Sequence, residues 1–136
     1  MLECLILGDS LAVGIGHVRP ECSTYAKSGI NSYDYTNRHI LHTNGNSKAK
    51  HVIISLGSND TKNINTFEEL DTLRQLVKAD RVYWILPAIK EDKRRAVRRV
   101  AEKYKDVVID ARQSVLSADG VHPTGKGYKI LGDQTR

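Results

Sequence analysis

The chain alternates between short apolar runs and longer stretches in which apolar residues recur every three or four positions. A continuous apolar run of a few residues is typical of a strand buried on both faces, whereas the longer period is typical of an amphipathic helix. Five runs predict strands, at residues 2–7, 22–27, 51–56, 81–86 and 107–110. Because helical stretches separate them, the pattern predicts an α/β fold with a parallel sheet covered on both faces.

The predicted helices fill the intervals between these strands. The second helix stops before Asn44 and Gly45, which form a strong turn signal. Polar residues are placed to cap three of the helices, namely Ser32, Thr66 (in a capping box with Glu69) and Thr124. The helices are predicted over residues 10–18, 33–42, 66–79 and 90–105, and from 124 to about 131.

Length and composition are those of one ordinary globular domain, and we take residues 1–136 as a single unit. Hydrophobic residues make up 40% of the chain and charged residues 27%, and no apolar run approaches the roughly 20 residues of a membrane span. No signal peptide is visible, so a cytoplasmic location is the default expectation. Cys4 and Cys22 are expected to be free, since a domain of this size does not need a disulfide.

The net charge of +5 is concentrated in the predicted helix at residues 90–105, which holds eight Lys or Arg and three acidic residues. Val97, Val100, Ala101 and Tyr104 recur there at helical spacing, so one face packs and the other carries the charge. The favoured interpretation is a solvated helix face. The alternative is a surface that attracts an anionic partner, such as an acidic glycan, a lipid headgroup or a nucleic acid.

Reactive residue types follow several of the predicted strands. In a parallel sheet, the loops at the carboxyl ends of the strands share one edge, and ligands bind there. Ser10 follows the first strand, Gly29 the second, Asn59 the third, and Asp119 with His122 the fifth. Each is ordinary turn chemistry when taken alone. Their coincidence at one edge of the sheet favours a reactive site.

These residue types fit nucleophilic catalysis. A serine hydroxyl needs a base, which His122 can be, and Asp119 lies three residues earlier, where it can fix the imidazole tautomer. The backbone N–H groups of Ser10 and Gly29, with the side-chain amide of Asn59, would then form an oxyanion hole. Ser10, Asp119 and His122 are therefore the candidate catalytic residues.

Together these motifs resemble the SGNH hydrolases, also called GDSL esterases/lipases, over nearly the whole chain. Gly-Asp-Ser-Leu at residues 8–11 matches the first block of that family, whose serine is the nucleophile, and Gly29 stands where the second block has its oxyanion glycine. Gly-Ser-Asn-Asp at 57–60 matches the third block, whose asparagine completes the oxyanion hole. Asp-Gly-Val-His-Pro at 119–123 matches the last block, which supplies the aspartate and histidine of the triad. The resemblance implies a flavodoxin-like three-layer α/β/α sandwich with a five-stranded parallel sheet, and no metal or organic cofactor.

The resemblance also implies hydrolysis of esters or thioesters. The chain is short for this family and has no insertion long enough to form a lid, so a small, open site is expected. That favours acetyl and other short acyl groups on a larger substrate, such as an acetylated glycan. Asp9 is expected to hold the turn rather than to orient His122. The expected substrate contacts are Leu11, Thr61, Pro87 and Val121, with Asn63, Ala88 and Ile89 as further neighbours.

Two other functions stay open at the level of sequence. One is a lysophospholipase or thioesterase of the same family. The other is a non-catalytic module on the same fold that binds an anionic glycan or nucleic acid through the basic helix. The complete Ser, Gly, Asn, Asp and His set favours an enzyme. The sequence carries no signal for an oligomeric state.

Two further motifs fail. Residues 120–126 fit the first seven positions of a P-loop, but Gly127 stands where Ser or Thr must hold magnesium. His39 and His42 lie three residues apart on a predicted helix, without acidic or cysteine partners nearby. They are therefore interpreted as surface residues and not as zinc ligands.

Overall fold

The sheet is the framework of the molecule. The computed structural model describes residues 2–43 and 48–136, so the turn predicted at Asn44 and Gly45 lies outside the described residues. The strands among these residues are β1 (Leu2–Gly8), β2 (Ser23–Ala26), β3 (Lys48–Ser55), β4 (Lys78–Leu86) and β5 (Val107–Asp110). They pair in parallel as one sheet in the order β2-β1-β3-β4-β5. This is the flavodoxin-like order, and the predicted fold class is confirmed.

Helices cover both faces of this sheet. They are α1 (Ser10–Val18), α2 (Ser32–Asn37), α3 (Thr66–Leu76), α4 (Glu91–Tyr104) and α5 (Gly125–Gln134), with short 3₁₀ turns at His39–Thr43 and Ala111–Gln113. Successive side chains of a strand point to opposite faces. In β1, Leu5 and Leu7 therefore pack with the α2, α3 and α4 side, whereas Ile6 packs with α1 and α5.

The strand order reverses between β1 and β3. From β1 the chain crosses towards β2 on one side, and from β3 it crosses towards β4 on the other. The two connections therefore diverge and leave a crevice beyond the carboxyl ends of β1 and β3, which is the general ligand position in open α/β sheets. Ser10 lies two residues after the end of β1 at this crevice, and Asn59 follows β3.

Two predicted helix caps are wrong by one residue. The cap of α2 is Asn31 and not Ser32, because the Asn31 side chain accepts a 2.8 Å hydrogen bond from the Asp34 N–H. The cap of α3 is Asn65 and not Thr66, because the Asn65 side chain accepts from the Glu68 N–H. The Thr66 hydroxyl instead donates to a buried carboxylate, that of Asp60.

Two predicted helices are also shorter than their periodicity indicates. The stretch at residues 33–42 is α-helical only to Asn37 and then tightens into the 3₁₀ turn His39–Thr43. Helix α3 ends at Leu76, because β4 begins at Lys78 and takes over the backbone pairing. Helix α1 has the predicted bounds, and Thr124 caps α5 as predicted by accepting from the Gly127 N–H.

The expectation that Cys4 and Cys22 are free is wrong, since the two residues form a disulfide. The pairing of β1 with β2 places Leu5 opposite Ser23. Cys4 precedes Leu5 and Cys22 precedes Ser23, so the same register brings the two cysteines opposite each other. The Cα atoms of the two cysteines are 4.8 Å apart, which is within the range that a disulfide spans. Disulfides persist in oxidising compartments, so the pairing does not support the cytoplasmic default.

Many cations of the basic helix are engaged within the protein. Arg94 is buried and makes two 2.8 Å hydrogen bonds with Asp110, and the Lys93 ammonium is bound to the Ile64 carbonyl at 2.9 Å. Lys103 pairs with a carboxylate of α3. The apolar face formed by Val97 and its helical neighbours packs in the core, as predicted. Among residues 2–43 and 48–136, no helix has the length and apolar character to cross a membrane.

Candidate active site

A tight turn presents Ser10 at the start of α1. Gly8 ends β1 with φ of +138°, and a Cβ there would overlap the Ser55 carbonyl oxygen of β3, so the position requires glycine. Asp9 caps α1 by accepting from the Leu11 N–H. The hydroxyl of Ser10 therefore lies at the carboxyl edge of the sheet and at the N-terminus of a helix, where the backbone favours negative charge.

A chain of hydrogen bonds joins Ser10, His122 and Asp119. Ser10 Oγ lies 2.8 Å from His122 Nε2, and His122 Nδ1 lies 2.7 Å from Asp119 Oδ2. An ionised carboxylate can only accept, so Nδ1 carries the ring proton of a neutral imidazole and Nε2 accepts from the Ser10 hydroxyl. The three residues predicted as catalytic are thus brought together, although 112 positions separate Ser10 from His122.

Several donors hold Asp119 in its ionised form. Its Oδ1 accepts from the backbone N–H groups of His122 (2.9 Å) and Val121 (2.8 Å) and from the hydroxyl of Ser117 (2.9 Å). Hydrogen bonds hold the pKa of Asp119 far below its usual range. The largest lowering comes from the backbone N–H of His122, and the second largest comes from the His122 imidazole. Asp119 is a charged acceptor at neutral pH, although 49% of its side-chain surface is exposed.

Ser117 has no counterpart among the predicted site residues. Its signal in the sequence is weak, because Ser-Ala-Asp is an ordinary turn composition. Only the folded turn shows that its hydroxyl supports the acceptor of His122.

Asp9 adjoins Ser10 in sequence but belongs to the interior. It is fully buried, and its Oδ1 accepts from the Leu11 N–H and from the Ser55 hydroxyl. Its Oδ2 has no hydrogen-bond partner among residues 2–43 and 48–136. Burial raises the pKa of Asp9 to about 6 against the lowering effect of these hydrogen bonds. Its bonds run to the turn and to β3 and none runs to His122, in keeping with the role expected of it.

Asn59 connects the loop after β3 with the loop after β2. Its Nδ2 donates a 3.0 Å hydrogen bond to the carbonyl of Ile30, the residue after Gly29. A side-chain amide has two N–H bonds, so one remains for a ligand. Gly29 has φ of +82°, and a Cβ there would meet no atom of the described residues within 4 Å, so its backbone is open to an approaching molecule.

The neighbour of Asn59 shows why the two loops keep their relative position. Asp60 is buried and accepts from the Ser32 N–H at 2.7 Å and from the Thr66 hydroxyl at 2.6 Å. Its backbone carbonyl accepts from the ammonium of Lys90 at 2.9 Å. The carboxylate therefore ties the loop after β3 to the starts of α2 and α3, while Asn59 stays at the crevice.

Two of the four expected substrate contacts do not lie at an accessible surface. Leu11 is only 1% exposed and packs with α5 and the sheet, and Pro87 is buried against Gly57. The apolar residue after the nucleophile turns inwards because α1 lays its apolar face on the sheet. Thr61 is exposed and lines a cleft of about 340 Å³ with Lys62 and other residues, and Val121 is half-buried beside Asp119.

The further expected neighbours also differ in exposure. Ala88 is buried, Ile89 is half-buried, and Asn63 is exposed. Of these three, only Asn63 and Ile89 present surface.

His39 and His42 do not stand apart from the site. Their rings stack with centroids 4.7 Å apart, and both line a cleft that reaches Gly29. Sequence periodicity placed them on a helix surface and gave no sign of this cleft. Across residues 2–43 and 48–136, no three His, Cys, Asp or Glu side chains are grouped so that they could hold a metal ion.

No protein-family model matches the sequence, and no curated protein is a significant match. Solved structures match the fold. The psychrotrophic esterase EstA from Pseudoalteromonas sp. has a TM-score of 0.69 at 18% identity, with 98% of this chain and 94% of that chain covered. A lipolytic protein of the G-D-S-L family from Veillonella parvula has a TM-score of 0.67 at 16% identity, with 98% and 96% covered. A carbohydrate acetylesterase family member from Sinorhizobium meliloti has a TM-score of 0.67 at 12% identity, with 96% and 94% covered.

These matches show that the chain has the fold of the GDSL (SGNH) lipolytic proteins and esterases, as its sequence blocks predicted. The likeness at this level of identity is one of fold. The chemistry of this chain has to be argued from its own residues.

Proposed function

We propose that the chain is a serine esterase of the SGNH type that works through an acyl-enzyme. The observation that carries this proposal is the continuous hydrogen-bond chain from Ser10 through His122 to Asp119, at the crevice of a fold shared with esterases. A serine hydroxyl becomes an effective nucleophile only beside a base, and the base needs an orienting acceptor. His122 lies at hydrogen-bond distance from Ser10, and Asp119 lies at hydrogen-bond distance from His122.

The proposed reaction has two halves. His122 Nε2 takes the proton of Ser10 as Oγ bonds to the ester carbonyl carbon, and Asp119 stabilises the imidazolium that forms. The tetrahedral intermediate then collapses, the bond to the alcohol oxygen breaks, and His122 returns the proton to that oxygen. Water repeats the sequence on the acyl-Ser10 ester, which releases the carboxylic acid and restores the hydroxyl.

The proposed oxyanion hole consists of the Ser10 N–H, the Gly29 N–H and the second N–H of the Asn59 amide. The bond from Asn59 to the Ile30 carbonyl supports this assignment, because it couples two of the three donors and fixes the amide plane. Donors fixed before the reaction need no reorganisation when the negative charge develops.

The proposed substrate is a short acyl ester, with acetyl preferred, on a larger alcohol such as a carbohydrate. The open setting of Asp119 and His122, of whose side chains 49% and 43% respectively are exposed, supports a bulky alcohol with free access. Carbohydrate acetylesterases from Sinorhizobium meliloti share the fold. A lysophospholipase or thioesterase reaction uses the same residues, and a preference for long acyl chains would favour it.

The binding-module alternative relies on the basic helix. Helix α4 has several cations committed to intramolecular bonds, among them Arg94 with Asp110 and Lys103 with Asp71. This leaves fewer charges for a polyanion than the sequence count indicates.

Hydrolysis of para-nitrophenyl esters of increasing acyl length tests the proposal. We expect turnover of the acetate to be lost in Ser10→Ala and to fall by roughly 10²- to 10³-fold in Asn59→Ala, the usual effect of deleting one oxyanion donor. Ser23→Ala is the matched control and should keep wild-type turnover. Equal rates in wild type and Ser10→Ala would overturn the proposal. Salt-sensitive polyanion binding without turnover would then support the binding module.

A further inference from the structure

A cleft with an unusual concentration of basic groups opens beside the proposed oxyanion hole. Its volume is about 340 Å³, the size of a small ligand site. It lies between the loop after β2 and the 3₁₀ turn His39–Thr43. Its lining includes Lys27, Gly29, Asp34, Arg38, His39 and His42. Gly29 therefore belongs both to this cleft and to the proposed site of ester cleavage.

The permanent charges in the cleft are unbalanced. Among the described residues, the ammonium of Lys27 has no hydrogen-bond or ion-pair partner. Arg38 approaches Asp34 at 3.6 Å, but 76% of its side chain is exposed, and such surface pairs are weak. Asp34 also accepts from the Asn31 amide. One partly engaged carboxylate thus faces two cations.

The surroundings of His39 disfavour the charged form of its ring. The pKa of His39 is lowered by burial first, and then by the neighbouring His42 and Lys27. His39 is therefore neutral at pH 7, and its ring can donate a hydrogen bond without adding charge. An anion in the cleft would offset the repulsion and move the pKa of His39 upwards.

We propose that this cleft binds a carboxylate or phosphate group on the alcohol portion of the ester, with Lys27 and Arg38 as its charged contacts and His39 as a donor. This rests on the proposed function. An acetyl group carries no charge, so an anionic group must belong to the alcohol. The substrate class would be acetylated alcohols that carry an acid group, such as acetylated sugar acids or sugar phosphates.

The proposal is tested with matched pairs of esters. The acetate ester para-acetoxybenzoate carries a carboxylate, and its methyl ester is the neutral match; para-acetoxyphenyl phosphate carries the phosphate. The ratio of kcat/KM for the charged ester to that for the neutral ester is measured in wild type, Lys27→Met, Arg38→Met and the double variant. Arg98→Met, an exposed α4 residue, is the control for net charge.

We expect the ratio to fall by about 3- to 10-fold in each single variant and further in the double variant, as expected for partly exposed charged contacts. Arg98→Met should keep the wild-type ratio. Electronic differences between the esters are common to all variants, so they cancel in the comparison. A ratio that is the same in all five proteins would overturn the subsite while leaving the esterase proposal intact. The ester with the larger fall identifies carboxylate or phosphate as the preferred group.

A binding measurement keeps the two proposals separable. Para-hydroxybenzoate and inorganic phosphate are titrated into the Ser10→Ala protein, and the His39 ring signals are followed by NMR. We expect at least one anion to raise the pKa of His39, with the effect lost in the Lys27→Met/Arg38→Met background. If neither anion moves these signals, the subsite is wrong whatever the activity of the enzyme.

Discussion

Asp9 lies beside Ser10 and Asp119 lies beside His122, the two residues of the proposed nucleophile–base pair. One of these carboxylates is buried and the other is exposed. Asp9 is next to Ser10 and fully buried, and one of its oxygens has no hydrogen-bond partner in the part of the chain that the structure describes. Asp119 is near His122, exposed, and accepts hydrogen bonds at both oxygens. Burial raises the pKa of Asp9 to about 6, whereas hydrogen bonds lower that of Asp119. One carboxyl group is partly neutral near pH 6 and the other stays ionised.

The difference shows that adjacency in sequence does not decide which carboxylate serves the imidazole. A residue next to Ser10 at the start of α1 points towards β3, so Asp9 bonds to the turn and to Ser55. The tight turn around Gly120 folds Asp119 back onto His122. The same division holds after β3, where Asn59 lies at the crevice and Asp60 is buried.

Among substitutions that test this comparison of the two carboxylates, Asp119→Asn has the largest expected effect. The substituted amide would donate an N–H to His122 Nδ1, and the imidazole would then carry its proton on Nε2. A protonated Nε2 cannot accept a hydrogen bond from the Ser10 hydroxyl. We expect kcat for para-nitrophenyl acetate to fall by roughly 10³- to 10⁴-fold while the protein stays folded. A loss of less than tenfold would show that His122 does not depend on Asp119.

A second effect concerns stability and comes from Asp9→Asn. Because the folded pKa of Asp9 is raised above its unfolded value of about 3.9, the folded state takes up a proton first as the pH falls. The wild type therefore gains stability on acidification through the window from about 7 to about 4. Asparagine resembles the protonated group and lacks this response.

We therefore expect the unfolding free energy of the wild type, relative to that of Asp9→Asn, to increase by about 2 kcal/mol when the pH is lowered from 7.5 to 4.5. Denaturant titrations with the disulfide intact measure it, with Asp80→Asn, an exposed carboxylate, as the control. Asp119, whose pKa is lowered, has the opposite sign: its stabilisation is present above about pH 4 and is lost below. A pH-independent difference for Asp9→Asn would contradict the burial argument.

The smallest effect is expected for Ser117→Ala. It removes one neutral donor to Asp119 and leaves two backbone N–H groups and the imidazole in place. A hydrogen bond of this kind contributes about 1 kcal/mol, so kcat should fall by less than tenfold. A fall as large as that of Asp119→Asn would mean that the hydroxyl has a role beyond supporting the carboxylate.

Much of the fold was predictable from local pattern. Buried strands form apolar runs, and the bounds of β5 agree with its run. The bounds of helix α1 also agree with those predicted. The caps of α2 and α3 were not predictable in detail, because Asn31 and Asn65 compete with Ser32 and Thr66 as neighbouring polar residues. Tertiary contacts decided the matter: the Ser32 N–H and the Thr66 hydroxyl are both used by Asp60.

The candidate site was predictable in kind but not in extent. Ser10, Asn59, Asp119 and His122 stand in short motifs at strand ends, so their types and positions are visible in the chain. The inward turn of Leu11 and the support from Ser117 depend on side-chain directions that a motif does not contain. The basic cleft is lined by residues within the single stretch 27–42, but its concave shape depends on how the loop after β2 packs beside the 3₁₀ turn, which the residue types do not show.

The sequence by itself determined the alternation of strands and helices and the reactive residue types at the strand ends. Tertiary structure alone decided the strand order, and with it the pairing of Cys4 with Cys22 and the meeting of Ser10 with His122. The physical reason is the distance along the chain over which each kind of interaction acts. Hydrophobic period and turn chemistry act over a few residues, whereas strand neighbours and burial are set by how the whole sheet packs its two faces.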